Sequence, residues 1–133
     1  MKGRPLAVAA FAVMVISMMM GGVVSAHHSR AGYSEKAITL KGVVSSVSWR
    51  NPHIWINFDV RDDSGKVVKW AGELSSTTSM LAAGLARDTL KAGDEIVVVA
   101  APAEAGTPQG LIASIKRADG TVVVADSYRR DTR

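Results

Sequence analysis

Three histidines carry most of the chemistry this chain can offer. Two are adjacent, His27 and His28, and the third, His53, sits inside the segment Trp49-Arg50-Asn51-Pro52-His53-Ile54-Trp55. Imidazole is the commonest protein ligand for divalent transition metals, so one isolated histidine and one adjacent pair form a candidate metal set. The expected ion is Cu(II), or another divalent metal. If the chain is cut after Ala26, His27 offers its own amine and ring nitrogen as a chelate. If the cut follows Ser25, Ala26-His27-His28 places His28 third, where amine, two deprotonated amides and imidazole favour a square-planar Cu(II) or Ni(II) site. The plainer reading is that His27 and His28 merely follow a cleavage site and that His53 hydrogen-bonds at a turn. Glu73 is the acid to watch, on a strand that also carries Trp70; its plainer reading is a solvated carboxylate on the outer face.

Other chemistries find little support. The chain has no Cys, which removes thiol nucleophiles, a lipidated cysteine and disulfides. The serines cluster at helix-capping or strand-surface positions without a nucleophile elbow, and the glycines fall at turns and bends rather than in a phosphate-binding loop. The expectation is a binding protein rather than an enzyme.

The start of the chain reads as an export signal. Lys2 and Arg4 form a basic region, Leu6 to Met20 is apolar apart from one Ser, and Gly21-Gly22 precedes Val24-Ser25-Ala26, which suits signal peptidase. Residues 1–26 are thus expected to be a signal peptide, with a periplasmic or secreted product and no membrane attachment after cleavage. The alternative is an uncleaved anchor, since Leu6 to Val24 spans 19 residues. Removing residues 1–26 takes away two basic residues and no acid, lowering the formal charge from +4 to +2. That modest charge argues against nucleic acid as a partner. Part of it lies in the basic tail, residues 127–133, expected to be a frayed terminus.

The elements that must position these groups are mostly strands. Residues 27–36 lack periodicity and read as an extended arm. Ile38 and Leu40 share one strand face, and Val43, Val47 and Trp49 the other, so a bulge or bend at Gly42 is expected to bring both sets to one core. The Asn51-Pro52 bend ends this strand. Ile54, Ile56, Phe58 and Val60 then alternate with Trp55, Asn57 and Asp59, and after the Asp62–Gly65 turn Val68, Trp70, Gly72 and Leu74 alternate with Lys69, Ala71 and Glu73. Trp70 is expected in the core and Trp55 more exposed, where it is available to stack on an oligosaccharide or other small ligand. Ser75 to Arg87 is expected to hold one short helix with Met80, Leu81 and Leu85 as its apolar stripe. Glu95 to Ala101 is a near-continuous apolar run and suggests burial on both faces. Leu111 to Lys116 and Thr121 to Ala125 close the list of strands.

Three strands, a helix and two or three further strands within residues 37–126 is the order of an all-β, OB-fold-like Greek-key barrel of five or six strands. Such a barrel is a binding or accessory module; its expected partners are an envelope protein or a small ligand.

Ala26-His27-His28-Ser29 after the leader, Thr39-Leu40-Lys41-Gly42-Val43-Val44, Trp49-Arg50-Asn51-Pro52-His53, Trp70-Ala71-Gly72-Glu73-Leu74 and Leu90-Lys91-Ala92-Gly93-Asp94 together resemble a family of small exported bacterial domains of unknown function. The resemblance covers roughly His27 to Val124, and Trp-x-Asn-Pro-His is its specific part. It implies a small β-barrel outside the cytoplasm and brings no activity or cofactor. Where that family tends to show Gly-Trp after the helix, this chain has Gly84-Leu85.

One geometric demand follows for a shared metal site. Ala37 to Trp49 would span about 40 Å as a straight strand at roughly 3.3 Å per residue. An arm of ten residues reaches back at most about 35 Å. Convergence of His27 and His28 on His53 therefore needs a curved strand and an arm that folds back.

Overall fold

A computed structural model describes residues 31–125. The leader, His27, His28 and the tail lie outside the described residues.

Among the described residues, alternation of apolar and polar residues builds six strands, β1 Ile38–Ser48, β2 Trp55–Arg61, β3 Val67–Glu73, β4 Glu95–Pro102, β5 Gln109–Arg117 and β6 Val122–Val124, with one helix, α1 Thr77–Ala82, between β3 and β4. The hydrogen-bonded order is β3-β2-β1-β4-β5-β6, and a parallel β3–β5 pairing closes the first five strands into a barrel. This is the OB-fold arrangement, with β6 as an extra strand on β5. Its interior is filled by Val44, Ile54, Ile56, Phe58, Leu74, Ile96, Val98, Ile112, Ile115 and Val124, each at most 2% exposed. Burying each large apolar side chain contributes roughly 1.5–3 kcal/mol, and no disulfide assists.

β1 serves both halves of the barrel. Residues Ile38 to Val43 pair with β4 and residues Gly42 to Ser48 with β2, so the strand changes partner across Gly42 and Val43. Gly42 is needed there because a Cβ would stand 2.7 Å from the Asp59 carbonyl oxygen and 2.9 Å from the Phe58 ring. The bulge itself lies three residues later than the sequence suggests. Val44 faces Phe58 and Ser46 faces Asn57, leaving Ser45 as the extra residue. An extra residue resets the parity of a strand. Leu40 and Val44 therefore point inward before it and Val47 and Trp49 after it, while Val43 is 42% exposed on the outer wall.

The helix is shorter than its apolar pattern. Ser76 caps it, its Oγ accepting from the Ser79 N–H at 3.3 Å. Gly84, at φ +89°, ends it: Gly84 N–H donates to the Leu81 carbonyl and Leu85 N–H to the Met80 carbonyl, the paired bonds of a Schellman motif. Leu85 thus lies beyond the helix and meets Met80 through the cap, so Met80 and Leu85 are buried. Leu81, expected in the stripe, is 56% exposed. β4 also departs from expectation. Ile96, Val98 and Ala100 are buried, but Val97 and Val99 on its outer face are only half-buried.

Candidate functional site

The bend between β1 and β2 is fixed from two sides. Asn51-Pro52 is a cis peptide, and Asn51 Oδ1 accepts from both the Thr77 N–H at 3.0 Å and the Thr77 hydroxyl at 2.9 Å, tying the bend to the first turn of α1. Trp49 packs against the core just before the bend. Ile54 follows it, fully buried, and continues the β2–β3 ladder: its N–H donates to the Ser75 carbonyl and its carbonyl accepts from Leu74 N–H.

This arrangement leaves no choice about where His53 points. It precedes buried Ile54 by one residue and Trp55 by two, so it stands on the outer face with Trp55, and Trp55 lies directly opposite Glu73. The ring closes the diagonal. His53 Nδ1 is 2.7 Å from Glu73 Oε1, with the His53 side chain 40% exposed and the Glu73 side chain 12%. A nitrogen that donates to a carboxylate must carry a proton, so in the neutral ring Nε2 holds the lone pair.

The second carboxylate oxygen is engaged as well. The Tyr33 hydroxyl donates to Glu73 Oε2 at 2.6 Å. Tyr33 comes from the arm, which lies along the end of β4: Tyr33 bridges Ala103, Ser34 N–H donates to the Pro102 carbonyl at 2.8 Å, and Glu104 N–H donates to the Gly32 carbonyl at 2.8 Å. Glu73 is therefore neither solvated nor idle. It joins the bend after β1, the end of β3 and the arm in one hydrogen-bonded cluster. It also faces Leu111 where β3 and β5 close the barrel.

The family model for the family of unknown function DUF6152 matches residues 14–114. The chain belongs to that family. The match takes in Tyr33, His53 and Glu73 together with His27 and His28, and runs through most of β5. Among curated proteins and among solved structures, nothing matches the chain.

Of the residues singled out from the sequence, the fold gathers Asn51, Pro52, His53, Trp55 and Glu73 at one end of β2 and β3. Trp70 packs against the core without being fully enclosed, and Trp55 is half-buried on the outer face opposite Glu73. Among the described residues, no group of three or more His, Cys, Asp and Glu side chains could hold a metal ion by itself. His53 would need ligands from elsewhere. Tyr33 is the participant that sequence reasoning missed. Its only signal is being the one aromatic residue in an otherwise small and polar arm.

Proposed function

We propose that this protein is an exported β-barrel binding or accessory domain of the cell envelope, and that its binding end is the His53 corner, which takes a divalent metal, Cu(II) before others, together with the histidines of the arm. The observation that carries this is the double engagement of Glu73. A metal-binding imidazole characteristically gives its other ring nitrogen to a carboxylate, which fixes the tautomer and raises the basicity of the ligating nitrogen. His53 has that partner on Nδ1, and its side chain is partly open to solvent.

The same carboxylate holds Tyr33, which supports the reading that the arm runs back toward the His53 corner. His28 precedes Tyr33 by five residues, a span of at most about 18 Å, so the long detour along β1 does not limit its reach. In this reading His53 Nε2 completes a site begun by the mature amine, His27 and His28. Those nitrogens, and no thiolate or carboxylate, would contact the ion, a donor set that suits Cu(II) over Mg²⁺ or Ca²⁺.

Metal analysis of the protein recovered from its exported fraction, with its first residue read by mass spectrometry, tests the proposal. Close to one copper per chain, beginning at Ala26 or His27, is the expected result. Metal-free protein that takes up no Cu(II) on titration would contradict it.

A further inference from the structure

A second feature lies on the outer wall of the barrel, far along β2 from His53. There β1, β2, β3 and β4 line a cleft of about 580 Å³, within the size range of small-ligand sites. Strand register fixes its lining. One row runs Asp59, Val43, Glu95, with Val43 opposite both acids. The next outward-facing row, about 7 Å further along the strands, carries Arg61 and Lys41, with Val67 opposite Arg61. Continuing the β1–β2 register by one residue sets Lys41 against Arg61.

This arrangement is costly for the free protein. Like charges facing each other across strands destabilise a sheet. Among the described residues no ion pair involves Lys41, Arg61, Asp59 or Glu95, and the Arg61 guanidinium donates only to the Gly65 carbonyl, at 3.1 Å. Asp59 Oδ1 is shut off from water with no hydrogen-bond donor, the one such side-chain atom among the described residues. A cation in the cleft, meeting the rest of this carboxylate, offsets part of that cost. Val43 and Val67, 42% and 41% exposed, are two of the few large apolar side chains left open, and both line this cleft.

The lining is therefore polarised, with an acidic row, a basic row and valines in each. A simple anion would meet Asp59 and Glu95, and a simple cation would meet Arg61 and Lys41. A ligand carrying both charges satisfies both rows. We infer that the cleft binds a short zwitterionic peptide with an apolar side chain, its ammonium toward Asp59 and Glu95, its carboxylate toward Arg61 and Lys41, and its side chain over Val43 and Val67. The termini of an extended dipeptide stand about 6 Å apart, one Cα–Cα step plus a bond at each end, which matches the row spacing.

The test is an NMR titration of the exported protein with the dipeptide Leu-Val, with its N-acetylated and C-amidated forms, and with phosphorylethanolamine, which has both charges but no apolar side chain. The inference expects saturable shifts confined to the amides of Lys41–Val43, Asp59–Arg61 and Glu95–Val97. It also expects a loss of at least about tenfold in affinity on blocking either terminus, as for deleting one charged hydrogen-bonding partner. Arg61→Gln should weaken the free dipeptide by a similar factor and leave the C-amidated form unchanged. Absence of saturable shifts to about 10 mM, shifts centred elsewhere, or equal binding of the blocked forms would overturn the inference. Tighter binding of phosphorylethanolamine would assign the cleft to a headgroup and overturn it too.

Discussion

Replacing Glu73 by alanine removes both bonds of the cluster at once, and the geometry sets the size of the loss. The Tyr33 bond is partly buried and ends on a carboxylate, where hydrogen bonds contribute roughly 1.5–3 kcal/mol. The His53 contact is weaker, because a side chain 40% exposed leaves its charge screened, and about 0.2–1 kcal/mol is appropriate. Freed Tyr33 and His53 regain water, which trims the sum, so Glu73→Ala should destabilise the domain by about 2–3 kcal/mol. Glu73→Gln should cost under about 1 kcal/mol, since one amide oxygen still accepts from His53 and the tyrosine hydroxyl can turn to accept from the amide NH₂. Tyr33→Phe should fall between them. Urea unfolding followed by tryptophan fluorescence measures all three; with a slope of roughly 1–3 kcal/mol per molar, the alanine variant's midpoint should drop by about 0.7–3 M. A Glu73→Ala domain within about 0.5 kcal/mol of the parent would refute the reasoning and return Glu73 to the status of a solvated surface acid.

The remaining expectations concern the fold. Met80→Ala should cost about 2–5 kcal/mol and Leu81→Ala under about 0.5, read by the same unfolding assay, because only Met80 is buried; equal losses would contradict the helix cap described above. Gly72→Ala should destabilise by roughly 1–3 kcal/mol, since its Cβ would stand 2.8 Å from Ile112 Cγ1 and 3.3 Å from Phe58 Cε1 inside the barrel. Asp94, whose carboxylate accepts from the Lys91 backbone N–H and pairs with Arg117, is held below its ordinary value of 3.8 by those two partners. A depressed folded pKa contributes stability that is present above the unfolded value and is lost as pH falls through the folded one, so Asp94→Asn should flatten the loss of stability below about pH 4; an unchanged acid limb would refute this.

Much of the barrel was legible because strand alternation and turn chemistry are local. The β2 and β3 faces, the Asp62–Gly65 hairpin and the helix start at the Ser/Thr cluster all follow from neighbouring residues. The failures arise where local pattern is silent about a reset. Alternation assigns each strand residue a parity but cannot say that Ser45 is the bulged residue, which put Val43 on the wrong face. Helical spacing pairs Leu81 with Leu85, yet Gly84 stops the helix first and sends Leu85 inward through the cap. The candidate site was half visible. His53 stood out by rarity and by its proline bend, and Glu73 as an acid near tryptophans. Their union depends on the β2–β3 register across a separation of 20 residues, and Tyr33 arrives across 40. Nothing in the arm's composition encodes that it turns back along β4.

The central claim is that His53, oriented by Glu73, is a metal ligand. Competitive Cu(II) titration of protein beginning at Ala26 or His27, and of its His53→Ala variant with the same start, tests it most directly. The parent should bind one equivalent, weakening as acid protonates the imidazoles, and His53→Ala should bind about 10–100-fold more weakly with one fewer nitrogen in the Cu(II) EPR hyperfine pattern. Identical affinity and an identical EPR spectrum for the two proteins would contradict the account.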